Sequence, residues 1–82
     1  MDVFFVMQQR DSGFLQVVSA YANEVLAEAA AERYTQQEIQ RIKNYEASND
    51  IVESHLDEDG RPKYARYYVD ERPLLDTLPP LP

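Results

Sequence analysis

Residues that could carry out catalysis are scarce in this chain of 82 residues. It contains one histidine, His55, and no cysteine. Any Ser-His-Asp arrangement would therefore have to use His55, and a thiolate nucleophile or a cysteine zinc site is excluded. No serine lies in the pattern of a nucleophile elbow, and two glycines are too few for a glycine-rich phosphate loop. We expect His55 to be a structural or surface residue, and the protein to be neither an enzyme nor dependent on a cofactor.

The carboxylates of Asp57-x-Asp59-Gly60 are the nearest approach to a metal-binding motif, because they resemble part of a calcium-binding loop. The match fails on both sides. His55 stands where the first carboxylate of such a loop belongs, and no glutamate stands at its closing position. We therefore expect no metal site.

The region from 46 to 60 carries most of the charge imbalance of the chain, whose formal net charge is −7. It contains six carboxylates and no lysine or arginine. This charge argues against direct nucleic-acid binding, which needs a basic surface. It favours either a solvated loop or a contact with a basic protein surface. In the second interpretation the contact residues are Asp50, Glu53, Asp57, Glu58 and Asp59.

Tyrosines and basic residues follow directly after this acidic run. If they form a strand, alternation places Tyr64, Arg66, Tyr68 and Asp70 on one face. The opposite face, with Tyr67 and Val69, is more apolar and should point to the core. Because Tyr and Arg are enriched at binding hot spots, Tyr64, Arg66 and Tyr68 are further candidate partner contacts. In the alternative, the tyrosines complete a small core and the arginines neutralise nearby acids.

The element that must organise these residues is the apolar stretch from Val3 to Met7. Its β-branched and aromatic residues favour a strand, and both of its faces are apolar, so it should be the centre of a sheet. A helix should cover one face, and more chain or a second copy of the protein the other. The turn at Arg10-Asp11-Ser12-Gly13 and the stretch Phe14–Tyr21 predict a β-hairpin.

A helix should begin after Asn23, a good N-cap, and run through the Ala- and Glu-rich stretch to Tyr34. Leu26, Ala30 and Tyr34 recur at helical spacing and should face the sheet. The parallel row Glu24, Glu28 and Glu32 is typical of a solvated face.

The residues after Tyr34 admit two interpretations. Thr35-x-x-Glu38 matches a capping box, so a bend and a second helix are expected there, or else one long helix whose second half reaches another surface. The helix should end near Ser48-Asn49-Asp50. In either case Ile39, Ile42 and Tyr45 form a separate apolar face, which is the candidate for self-association into a homodimer.

The remaining segments predict a short strand or an ordered loop at Ile51–Leu56, a turn at Asp57–Gly60, and a strand from Lys63 to Glu71. Pro73 should end that strand. Residues 1–73 thus form one α+β domain, in which a small antiparallel sheet packs against one or two helices. Residues 74–82 form a proline-rich tail, which we expect to be disordered or packed along its own domain. The alternative is a partner ligand, because Pro79-x-x-Pro82 matches such a pattern. No membrane span or signal peptide is expected, which favours a cytoplasmic protein.

The chain combines a hairpin, a helix start in which Tyr21-Ala22 leads to Glu28-Ala29-Ala30, and a late strand from Tyr67 to Pro73. This order of elements resembles that of small proteins from bacteriophages and mobile elements. A phage inhibitor of host RNA polymerase and several anti-CRISPR proteins are similar in outline. Together with the small size, the lack of catalytic groups and the concentrated negative charge, the resemblance favours a binding protein that inhibits a host nucleic-acid-handling or defence complex by blocking a basic surface. The alternative is a structural homodimer.

Overall fold

A computed structural model describes residues 2–73, which form three strands and one helix. The strands are β1 (Asp2–Arg10), β2 (Leu15–Tyr21) and β3 (Ala65–Pro73), and the helix is α1 (Glu24–Ser48). The strands form an antiparallel sheet in the order β2-β1-β3, with α1 packed against it. The predicted α+β fold is confirmed, with β1 at its centre. The predicted proline-rich tail lies outside the described residues.

The predicted N-terminal hairpin is formed by β1 and β2. The Arg10 N–H donates to the carbonyl of Phe14 at 3.0 Å, and Gly13 adopts a φ of 89° that a residue with a side chain would rarely adopt. The register between the strands shifts once, because Val6 pairs with Ser19 whereas Met7 pairs with Val17. Val18 is therefore an extra residue, which makes a β-bulge in the edge strand β2.

A single uninterrupted helix spans Glu24 to Ser48, so the interpretation with one long helix is the one observed. Its N-terminus is capped as predicted, because Asn23 Oδ1 accepts hydrogen bonds from the N–H groups of Val25 and Leu26 at 2.7 and 3.3 Å. Thr35 does not cap a second helix. Its hydroxyl donates to the carbonyl of Ala31 at 2.9 Å, which satisfies a buried polar group inside the helix.

The core lies between α1 and the face of the sheet that carries Val6, which is fully buried. The prediction that Leu26 faces the sheet was wrong, since 57% of this residue is exposed. The buried row begins one position further along the helix, and its first half consists of small residues, which let the helix approach the strands closely. It continues into the second half of α1, and its members are Ala27, Ala30, Ala31, Thr35, Ile39 and Ile42.

Strand β3 completes this core with the face that alternation predicted. Tyr67 and Val69 pack against the buried cluster. The Tyr67 ring stacks on that of Tyr34 with centroids 5.4 Å apart, and its hydroxyl accepts a hydrogen bond from Gln8 Nε2 at 2.9 Å. The strand begins at Ala65, two residues later than the predicted Lys63.

The segment between α1 and β3 is an ordered loop, so the alternative of a strand at Ile51–Leu56 is not observed. The predicted turn at Asp57–Gly60 is present, with the Gly60 N–H donating to the carbonyl of Asp57 at 3.0 Å. A single bridge between Leu56 and Pro62 closes it. No helix formed by the described residues is long and apolar enough to cross a membrane.

The burial of Val6 makes it the residue on which the core depends most. Replacing Val6 with alanine should lower the free energy of unfolding by about 2 to 3 kcal/mol, because the truncation removes buried methyl groups and leaves a cavity. Val17 lies on the same sheet and is half exposed, so Val17→Ala should cost less than about 1 kcal/mol. Urea denaturation of both variants measures the difference, and equal losses would contradict this account of the core.

Candidate protein-binding surface

The face of the sheet opposite α1 is an apolar surface that no other element among residues 2–73 covers. Alternation along β1 places Val3, Phe5 and Met7 on this face. The register with β2 brings Val17 beside Met7 and Leu15 beside Gln9. Leu15 and Val17 are 52% and 50% exposed, and the three β1 residues are only partly buried. We call this surface, from Val3, Phe5 and Met7 to Leu15 and Val17, the open face.

Strand β3 adds a polar border to the open face. Met7 pairs with Tyr68, and Gln9 pairs with Arg66. The Arg66 guanidinium lies over the Tyr68 ring, 4.9 Å from its centroid, which is a cation–π contact. An apolar centre with a border of Tyr and Arg is the composition typical of protein-binding surfaces.

Further along β3, the guanidinium of Arg72 lies 3.0 Å from the carboxylate of Asp70. This ion pair is partly exposed, so it should contribute little to stability. It neutralises the single acid on the β3 side of the open face and leaves Arg66 as the charge available to a partner. Of the residues predicted as partner contacts, the structure therefore brings Arg66 and Tyr68 together on one surface.

Tyr64, the third of these predicted contacts, precedes β3 and packs against the loop. Its ring meets that of His55 edge-on, with centroids 5.5 Å apart, and His55 also stacks on Tyr45 at 6.4 Å. His55 thus joins the end of α1 to the start of β3. The contacts of its ring are those of a structural residue.

The acidic residues predicted to bind a basic surface are partly engaged within the chain. Glu53 lies 3.1 Å from Lys63 Nζ. The carboxylate of Asp57 accepts hydrogen bonds from the N–H groups of Asp59 and Arg61, both at 2.9 Å, which shapes the turn. The carboxylates of Asp50, Glu58 and Asp59 remain exposed on the loop.

Glu46, at the end of α1, anchors this loop. Its carboxylate accepts hydrogen bonds from the backbone N–H of His55 at 2.7 Å and from the Ser54 hydroxyl at 2.9 Å. The hydrogen bond from the His55 N–H, followed by that from Ser54, lowers the pKa of Glu46 from its ordinary value. A second contact between the loop and α1 is the ion pair of Arg61 with Glu32, at 3.3 Å. Sequence reasoning missed Glu46 because it looked like one more member of a charge run.

The predicted self-association face does not exist in the described chain. Ile39 and Ile42 are buried within the chain's own fold, although Tyr45 remains 49% exposed. The reason is that the loop and the start of β3 return over the second half of α1. Residues Pro62, Tyr64 and Ala65 line the same small cleft as Ile42. A homodimer would therefore need another surface.

Comparison with known protein families, curated proteins and solved structures found no match. Among residues 2–73, no three His, Asp or Glu side chains lie close enough together to hold a metal ion. The candidate functional features of the described chain are therefore the open face and the acidic loop, by which we mean the segment between α1 and β3 that carries Asp50, Glu58 and Asp59.

Replacing Glu46 with alanine should release the loop from the helix, because the His55 N–H loses its acceptor. We expect the His55 amide to exchange faster with solvent at neutral pH in the variant. Glu58→Ala removes the same charge from the exposed part of the loop and is the matched control, which should leave this exchange unchanged. Hydrogen exchange followed by NMR measures both.

The same contact predicts a pH dependence. The pKa of Glu46 is lower in the folded chain than in the unfolded chain, so the contact contributes its full stability above the ordinary pKa of a glutamate. That contribution is lost as the pH falls through the lowered pKa. Protection of the His55 amide, corrected for intrinsic exchange, should fall over this acidic window in the wild type and stay flat in Glu46→Ala. A parallel fall in both proteins would contradict the assignment.

Proposed function

We propose that this protein is a non-enzymatic protein-binding module and that its open face is the binding surface. The observation that supports this proposal most directly is the half-exposed state of Leu15 and Val17 beside the apolar residues of β1. Contiguous apolar surface of this kind is costly to leave in water and is typical of interaction sites.

The chemistry of the border indicates the kind of partner. Arg66 and Tyr68 stand beside the apolar centre, and Asp70 is already paired with Arg72. A partner that presents apolar side chains flanked by a carboxylate would complement this surface, because its carboxylate could pair with Arg66 while its apolar side chains cover Met7 and Val17.

A second candidate retains the more specific expectation, inhibition of a host nucleic-acid-handling or defence complex. Its support is the exposure of Asp50, Glu58 and Asp59 on a loop that Glu46 holds in place. These carboxylates could contact a basic protein surface. Glu53 and Asp57, by contrast, already contact other residues of the chain. Neutralising them would therefore change the structure of the loop as well as its charge, and an effect on binding could not be assigned to either.

A charge placed on the open face separates the first candidate from the second. Val17→Glu should reduce partner capture about tenfold or more, because the carboxylate would have to be desolvated in the interface. Val25 is a matched control, since it is 74% exposed in the first turn of α1 and lies on the helix instead of the sheet. Quantitative affinity capture from cells of the source, with wild type, Val17→Glu and Val25→Glu as baits, measures the effect.

A third bait carries Asp50→Asn, Glu58→Gln and Asp59→Asn and leaves the structural acids intact. Loss of a partner from this bait alone would favour the acidic loop as the binding surface. Capture of the same proteins by Val17→Glu and by Val25→Glu would refute the open face. Circular dichroism of each bait confirms that the fold is retained.

A further inference from the structure

The outer edge of β3 carries backbone groups that have no partner among residues 2–73. The Asp11 N–H donates to the carbonyl of Tyr64, whereas the Arg10 N–H donates to Phe14 across the hairpin. In an antiparallel sheet, the N–H and C=O of one residue point to the same side, and successive residues alternate. The even-numbered residues of β3 therefore bond to β1. The residues whose N–H and C=O point outward are Ala65, Tyr67, Val69 and Glu71.

The two edge strands of the sheet differ in length and in the regularity of their pairing with β1. The β2 edge has seven residues and a bulge, two features that discourage pairing with another strand. The β3 edge has nine residues whose register with β1 is unbroken. The loop satisfies this edge only at its start, where the Lys63 N–H donates to the carbonyl of His55 at 2.8 Å.

The edge of β3 borders a groove of about 480 Å³ that runs between β3 and α1. The groove is lined by Ala31 and Thr35 on the helix side and by Tyr67 and Val69 on the strand side. It is also lined by Arg61 and Glu32, an ion pair between the loop and the helix. No strand among residues 2–73 lies beyond β3 in the sheet, so an added strand would continue the sheet at this edge.

We propose that this edge pairs with the β3 strand of a second copy of the chain, antiparallel and centred on Tyr68. In that register, Tyr67 of one copy meets Val69 of the other, and both residues have outward-pointing backbone groups, so they would form hydrogen-bonded pairs. Arg66 of one copy stands directly opposite Asp70 of the other, on the face away from the helix. A two-fold axis makes each of these pairs occur twice. Asp70, which already contacts Arg72 of its own strand, would then be shared by two guanidinium groups.

Charge complementarity favours this register over its neighbours. Centring on Arg66 or Asp70 would set each of these charges against its own copy, and centring on Val69 would set Arg66 against Arg72 of the other copy, which is repulsive. Centring on Tyr67 leaves Asp70 opposite Tyr64. Centring on Glu71 would pair Asp70 with Arg72 but set Glu71 against its own copy. Among these registers, only the one centred on Tyr68 pairs opposite charges within β3 without a like-charge pair, and it also brings two Tyr68 rings together.

The product is a continuous six-stranded sheet with both helices on one side and both open faces on the other. This inference goes beyond the proposed function, because it uses the β3 edge and leaves Leu15 and Val17 available to a different partner. In this proposal the copies associate through the β3 edge and not through Ile39 and Ile42.

A charge swap tests the register. Arg66→Asp should weaken dimerisation about tenfold or more, since it places two carboxylates opposite one another twice per dimer. Asp70→Arg should weaken it similarly, and the double variant Arg66→Asp with Asp70→Arg should restore it. Sedimentation equilibrium of the full chain gives the dissociation constants, and Glu58→Arg is a control that reverses a carboxylate away from the edge.

Hydrogen exchange of the wild type gives an independent readout. The Tyr67 and Val69 amides should be protected in the dimer and lose protection on dilution, whereas the Arg66 and Tyr68 amides, bonded to β1, should stay protected. A single-chain mass at every concentration would overturn the proposal. So would failure of the double variant to recover association, or protection of the Tyr67 and Val69 amides in a single-chain particle, which would place another segment at the edge. None of these outcomes depends on finding the partner of the open face.

Discussion

The constraint on which the rest of the structure depends is that β1 is apolar on both faces while the described chain supplies one helix. Val6 is fully buried beneath α1, and its neighbours Phe5 and Met7 necessarily point the other way. A strand with this pattern usually lies between two layers. Here the second layer is missing among residues 2–73, so burying one face of β1 leaves the other as the open face.

The helix side shows how a small chain builds a core from few large residues. Alanines at 27, 30 and 31 face the sheet, and their size permits close packing of helix on strands. The bulk comes from aromatic residues at the margin, such as the stacked pair Tyr34 and Tyr67. The second half of α1 is covered by the returning loop, whose position depends on the carboxylate of Glu46. At least this carboxylate of the acidic run therefore has a structural role.

The two proposals follow from what this architecture leaves unsatisfied. The open face leaves apolar side chains in contact with water, and the outer edge of β3 leaves backbone donors and acceptors without partners in the described chain. The first surface lacks apolar cover, and the second lacks hydrogen-bond partners. They lie on adjacent parts of the same sheet and share Arg66 at their border, so pairing of the edge would leave the apolar centre of the open face, but not this guanidinium, to another molecule.

The sequence by itself determined the local structure. It was enough to predict the hairpin, the Asn23 cap, the central position of β1 and the inward face of β3, because each follows from alternation, turn chemistry or capping within a few residues.

Three features were decided only by tertiary structure. The helix phase favoured alanines over Leu26, because close approach to the sheet mattered more than side-chain size. Ile39 and Ile42 are buried, and the cleft that contains Ile42 is lined by Pro62, Tyr64 and Ala65, which the chain brings back after the loop. The acids of the region from 46 to 60 have different roles, because Glu46 and Asp57 accept hydrogen bonds from backbone N–H groups while Glu58 is exposed. These roles depend on which parts of the folded chain lie near each carboxylate and not on residue type.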